Sequence, residues 1–240
     1  MSGIQTPGVK AIFLIKRRPA VSREELIAHW FSNHMPAVIA AQHKWRETGR
    51  AHASRYIATL YDADSSGDHV WDGAAQLWFE QAPPAPDVPH GTVPADSFQE
   101  RAETYVPWST KEHVFVGGDL AVEPLTLNAP FPTTRSGFFR VSMMAAITPG
   151  ADSGAFHDYW LNVHAPAAAQ VLEGVGAIRY SVSTSLDPAA QFAGMAELTL
   201  PNADAWKRYQ QNRPTDDMDQ WVDADGSLVL HSSTDMIGIP

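Results

Sequence analysis

His29-Trp30-Phe31-Ser32-Asn33-His34-Met35-Pro36-Ala37 recurs further along the chain as Tyr159-Trp160-Leu161-Asn162-Val163-His164-Ala165-Pro166-Ala167. Both stretches read Trp-x-x-x-His-x-Pro-Ala, 130 residues apart. More matches follow in the same order. Arg55-Tyr56 pairs with Arg179-Tyr180 at an offset of 124, and Gly73-x-Ala75-x-Leu77 with Gly194-x-Ala196-x-Leu198 at 121. Ala95-Asp96-x-Phe98 pairs with Ala203-Asp204-x-Trp206, and Gly118-x-Leu120 with Gly226-x-Leu228, both at 108. Ordered self-similarity of this kind marks a duplicated unit. The halves are read as 1–128 and 129–240, joined through Asn128-Ala129-Pro130-Phe131-Pro132. The last fall in offset implies 13 extra residues in the first half between Trp78 and Pro94. That segment holds Pro83, Pro84, Pro86 and Pro89, and proline removes backbone donors, so it reads as a stiff surface loop. It is either a tolerated insertion or a lid over a pocket in one half.

Working outward, Val9–Ile15 is rich in β-formers and predicts a strand. Ser22-Arg23-Glu24-Glu25 is a capping box, and Leu26, Ile27, Trp30 and Phe31 then share one helical face. The helix should falter before Pro36 and leave a short second turn over Ala37–Ala41. Strands over Ser54–Tyr61 and Ala74–Phe79, a helix over Asp96–Tyr105 and a strand over Val114–Val122 complete the half. The second half repeats the order with Phe138–Ile147, Ser153–Leu161, Ala177–Ser183, Ala193–Leu200, Ala203–Asn212 and Ser227–His231. Strand, helix, strand, strand, helix, strand is the split βαβ, or ferredoxin-like, unit. One such sheet carries both helices on one face and leaves the other bare. The expected fold is therefore α+β, with tandem ferredoxin-like repeats forming an intramolecular dimeric α+β barrel.

Ile15-Lys16-Arg17-Arg18-Pro19, followed by the capping box and His29-Trp30-x-x-x-His34-x-Pro36, resembles the opening of an EthD-type domain. Ile147-Thr148-Pro149 and Phe156-x-x-Tyr159-Trp160-x-x-x-His164-x-Pro166 resemble the same opening more weakly. The resemblance implies the dimeric α/β-barrel superfamily. That superfamily includes cofactor-free monooxygenases, polyketide cyclases, isomerases, decarboxylases and haem enzymes, so fold does not choose the reaction.

Composition narrows the classes. There are 17 Lys and Arg against 27 Asp and Glu, a net charge of −10, which argues against nucleic acid and anionic lipid as partners. The chain has no cysteine, which removes disulfides, thiolate nucleophiles and thiolate metal sites. The start of the chain lacks signal-peptide features, and no apolar run approaches the roughly 18 residues of a membrane span, so a cytoplasmic protein is expected. An exposed sheet edge would let two chains associate as a homodimer.

His34 and His164 are the first candidates for chemistry. Each stands beside a proline at a helix end, where imidazole suits proton removal from carbon next to a carbonyl, or else braces a loop carbonyl. Arg55 and Arg179 precede a tyrosine at a strand start, where an arginine steadies an enolate or pairs with an acid at the rim. Seven of ten histidines lie in the first half; His43, His69 and His90 read as surface, while His113 reads as a second acid/base and Tyr61 as a phenol donor. The tyrosine at 159 in place of His29 suggests a working first-half site and a filled counterpart. Asp216-Asp217-Met218-Asp219 lacks calcium-loop spacing and reads as a solvated face. No metal motif and no organic-cofactor motif is present in the sequence. Haem, with His34 or His164 as axial ligand, enters only through the resemblance.

The expectation is a proton-transfer enzyme (isomerisation, cyclisation, elimination or decarboxylation) acting on a small, apolar aromatic or polyketide-like carbonyl compound. That compound would lie among Phe13, Trp78 and Phe115. The alternatives are a cofactor-free monooxygenase on such a substrate and a non-catalytic carrier of a hydrophobic ligand or haem.

Overall fold

The computed structural model describes residues 3–63, 71–117 and 138–239. In chain order the first elements are β1 (Ile4–Gln5), β2 (Val9–Ile15), α1 (Arg23–His29), α2 (Met35–Glu47), β3 (Ala53–Leu60), β4 (Gly73–Phe79) and β5 (Trp108–Val116). Then come β6 (Phe139–Ile147), α3 (Ser153–Tyr159), α4 (Ala165–Gly174), β7 (Arg179–Ser185), β8 (Gly194–Leu200), α5 (Ala203–Asn212), α6 (Met218–Trp221), β9 (Val222–Ser232) and β10 (Thr234–Ile239). They pack as two units. One contains Gly8–Trp108 and the residues from Ser233 onward; the other contains the residues up to Pro7, those following Ser109, and Phe138–Ser232.

The first unit has the antiparallel strand order β10-β3-β4-β2. The second has the order β5-β7-β8-β6-β9, with β1 on β5. Each unit therefore borrows a strand from the other half of the sequence. β5 pairs with β7 through Thr110↔Ser185 to Val116↔Tyr180, and β10 pairs with β3 through Thr234↔Leu60 to Ile239↔Tyr56. The strand expected at 114–122 starts earlier and belongs to the second unit's sheet. The joint at 128/129 and the Gly118-x-Leu120 match lie outside the described residues.

The helical motif behaves differently from expectation. Pro36 does not end the helix. The chain widens into a π turn over Trp30–His34, where the Met35 N–H reaches back five residues to the Trp30 carbonyl, and then continues as the 13-residue α2. Proline has no N–H and its ring crowds the carbonyl four residues earlier, and one wider turn relieves both problems. Trp160–His164 repeats the device, with the Ala165 N–H on the Trp160 carbonyl. Ser22 caps α1 through the Glu25 N–H at 3.1 Å, and Asp152 caps α3 through the Ala155 N–H at 2.7 Å.

Trp30 and Trp160, 0% and 2% exposed, press onto their sheets. Each lies over a glycine that the repeat singles out. A Cβ on Gly73 would fall 2.9 Å from the Trp30 ring, and one on Gly194 would fall 2.8 Å from the Trp160 ring. Side-chain alternation along β4 directs Ala75, Leu77 and Phe79 to the helix side, in one core with Ile15, Leu26, Trp30, Met35, Tyr56 and Phe98. The second unit has its own core around Phe156, Trp160, Leu172, Tyr180, Leu198 and Trp206.

Candidate functional site

Between the sheet of the first unit and its helices lies a cavity of about 570 Å³, a size that suits a small organic ligand. Phe13, Ala75, Leu77 and Phe79 line it from the sheet, and Trp30, His34, Val38 and Gln42 from the helices. Pro83, Pro84, Pro86 and His90 close one side, and Trp45 and the exposed Arg50 stand at the mouth. The rings form an aromatic box. His34 stacks on Phe98 with centroids 4.5 Å apart, and Tyr105 lies 5.4 Å from His90 and 6.1 Å from Phe13.

The π turn delivers His34 to this box. Its Nδ1 is 2.5 Å from Oδ2 of Asp96, and a carboxylate only accepts, so Nδ1 carries the proton. Oδ1 of Asp96 accepts from the backbone N–H of Phe98 and Gln99 at 3.1 and 2.9 Å. Burial raises the Asp96 pKa, but these hydrogen bonds and the nearby imidazole outweigh it and hold the carboxyl below its ordinary value. The tautomer is thereby set, and the lone pair of His34 sits on Nε2, which makes no hydrogen bond among the described residues.

Other polar groups around the box are neutral. Burial first, and the neighbouring His34 second, lower the His90 pKa, which keeps that ring uncharged near pH 7. Burial raises Tyr105 to about 12 and raises Tyr56 further. The Tyr105 hydroxyl accepts from Gln99 Nε2 at 3.2 Å and the Tyr56 hydroxyl from Trp30 Nε1 at 3.4 Å, so each keeps its own O–H as a donor. Gln42 is committed, its Oε1 accepting the Ala53 N–H at 2.7 Å.

The remaining first-half candidates stand elsewhere. Arg55 lies over the Trp78 ring at 5.5 Å, on the sheet face away from the cavity lining. Tyr61 is buried, but it does not line the cavity, and its carbonyl accepts from Arg23. His113 sits on β5 opposite Val182 in the second unit, where burial lowers its pKa. Arg179 pairs with the buried Glu112 at 3.3 Å. Of the three residues expected around the ligand only Phe13 lines the cavity, since Trp78 faces the other side of its sheet and Phe115 belongs to the second unit's core.

The second unit repeats the arrangement. His164 Nδ1 is 2.8 Å from Asp216 Oδ2, and Asp216 Oδ1 accepts the Met218 N–H at 3.0 Å. His164 lines a cavity of about 870 Å³, so this counterpart is open and not filled. Asp216 is no idle solvated acid, and Asp204, the sequence match to Asp96, is exposed and bonded to Lys207. Asp96 and Asp216 are 120 residues apart, close to the 121 of Gly73 and Gly194. The first half therefore holds no 13-residue insertion. The proline segment stands in the place of α5, and the expected helix over 96–105 is a series of turns. Asp96 Oδ1 takes the Phe98 and Gln99 N–H as a helix cap would, but the chain after it stays in turns.

Haem, which the resemblance admits, needs an axial nitrogen and cations for two propionates. Nε2 of His34 or His164 could supply the nitrogen. Each cavity lining has a single arginine, Arg50 or Arg213, exposed at the mouth. That donor set suits an uncharged planar ligand and not a dicarboxylate macrocycle. Among the described residues no three His, Asp or Glu side chains gather as a metal set.

The family model of the EthD domain matches residues 148–225, which hold the second π turn, His164 and Asp216. The match covers 78 of the 240 residues, all of them in the second half. No curated protein matches the chain. A crystal structure of an anthrone oxidase-like protein is 13% identical and aligns over 96% of this chain and 93% of its own, with a TM-score of 0.56. A mutant chlorite dismutase from Candidatus Nitrospira defluvii is 8% identical over 94% and 91%, with a TM-score of 0.49. The first likeness shows the fold: ferredoxin-like repeats of the dimeric α+β barrel class, with the matched residues 148–225 in the second repeat. No described helix is long and apolar enough to cross a membrane.

Proposed function

We propose that the first unit is a general-base enzyme acting on a small, planar, apolar aromatic ketone. One observation carries this reading: the His34–Asp96 pair presents a basic nitrogen to an aromatic cavity with no charged group in its interior. His34 Nε2 takes a proton from the carbon beside, or conjugated with, the carbonyl, and the electron pair moves to the carbonyl oxygen. Tyr105 and Tyr56, kept protonated by burial, donate to that oxygen. The proton now on His34 Nε2 returns at another carbon or oxygen, and uncharged His90 hydrogen-bonds the substrate so that this position sets the product. The proline segment excludes water and protects the anion. No organic cofactor is needed for these steps.

A second reading shares the first step and ends in oxygenation; the anthrone oxidase-like relative of the fold favours it. Anthrone fits the cavity chemistry, being a tricyclic ketone with an acidic methylene. Its carbanion would add O2 to give a peroxide, which loses water to leave the quinone. Incubating the protein with anthrone in D2O tests both. Wild type should exchange the methylene hydrogens, and His34→Gln should not; O2 uptake marks the oxygenase. Exchange that survives His34→Gln would refute the general base, and binding without exchange would make the protein a carrier.

A further inference from the structure

We propose that the second unit carries a second, independent ligand site, selective for planar aromatic compounds rich in hydroxyl groups. The second unit holds a complete His164–Asp216 pair in a cavity larger than the first, about 870 against 570 Å³. The floors of the two cavities match: Trp160 and Tyr180 stand where Trp30 and Tyr56 do, and Ala196 where Ala75 does.

The rims differ. The proline segment and His90 of the first unit are replaced by α5 and the chain after it, which contribute Gln210, Arg213, Thr215 and Asp219. These are hydrogen-bonding groups at an exposed edge, where the first cavity has proline rings. Arg213 is only loosely held, 4.0 Å from Asp219 and 67% exposed, so it is available to an incoming oxygen. Met143 and Trp206 keep the interior apolar. A flat aromatic body inside and several oxygens outside satisfy both surfaces. A phenolic O–H directed at His164 Nε2 would be the ionisable group, since Asp216 holds the other ring nitrogen.

The test uses the full chain and alizarin, 1,2-dihydroxyanthraquinone, whose colour shifts to the red when its phenol ionises. At a pH where the free dye is yellow, wild type should bind it and turn it red. Ala196→Phe, which fills the second cavity, should abolish the signal, and Ala75→Phe, which fills the first, should keep it. His164→Gln should bind without the colour change. Arg213→Ala should weaken binding about tenfold through one lost charge-assisted bond. Should Ala196→Phe fail to fold, the His164 and Arg213 variants decide. A signal lost in Ala75→Phe but kept in Ala196→Phe, or a red complex in His164→Gln, overturns the proposal. Anthrone exchange lost in Ala75→Phe and kept in Ala196→Phe belongs to the first cavity, so the two readings fail separately.

Discussion

Replacing Asp96 by Asn isolates the carboxylate's effect on its histidine. Asparagine keeps an oxygen for the Phe98 and Gln99 N–H groups, so the turn that closes the cavity survives. What disappears is the charged partner 2.5 Å from His34 Nδ1. The new amide can donate to Nδ1, which moves the ring proton to Nε2 and removes the lone pair from the cavity. A charge-assisted hydrogen bond contributes about 1.5–3 kcal/mol. At about 1.4 kcal/mol per factor of ten, the deprotonation rate should fall roughly 10- to 150-fold. The assay is methylene exchange of anthrone in D2O followed by NMR, with circular dichroism to confirm an unchanged fold. An exchange rate within about twofold of wild type, a difference of only some 0.4 kcal/mol, would show that the pair merely fastens the loop.

Gly73→Ala should cost roughly 1–3 kcal/mol in denaturant unfolding, because the new methyl meets the Trp30 ring and the Thr59 carbonyl. Pro36→Ala should let the π turn relax to α-helix, turning His34 away from the cavity; anthrone exchange should fall while the melting temperature holds or rises. Burial depresses the His90 pKa, so the unfolded chain binds that proton more readily. Stability should therefore decline as pH drops from about 6.5 through the folded value, and His90→Phe should flatten that part of the pH–stability curve. Asp96 has the same sign in a lower window: its stabilisation is present above the unfolded value near 3.9 and is lost as pH falls through the depressed folded value, a slope that Asp96→Asn should remove.

The doubled Trp-x-x-x-His-x-Pro element, read with strand-length apolar runs, was sufficient to expect two ferredoxin-like repeats and to place His34 and His164 at corresponding points. Both depend on local sequence. The carboxylates that orient them do not. Asp96 lies 62 residues from His34, and its neighbour Ala95 makes the false match to Ala203-Asp204 look better than the true match to Asp216. Hydrogen bonding to a distant ring leaves no periodic trace. His90 was hidden for a related reason: a histidine in a proline-rich loop looks solvated until the loop is seen folded over a cavity, tied to Tyr105 through both backbone directions. Arg55 drew attention because it repeats, but a bulge at Ala53/Arg55 and the Trp78 ring hold it against the opposite face of the sheet.

The exchange of strands between the two halves has a consequence for how the chain must be made. During synthesis β2, β3 and β4 leave the ribosome well before β10, the partner of β3. Until then β3 presents bare amide and carbonyl groups to any passing chain, a recognised hazard for aggregation. Such long-range pairing also slows folding. Deleting Thr234–Ile239 should therefore harm the first unit before the second.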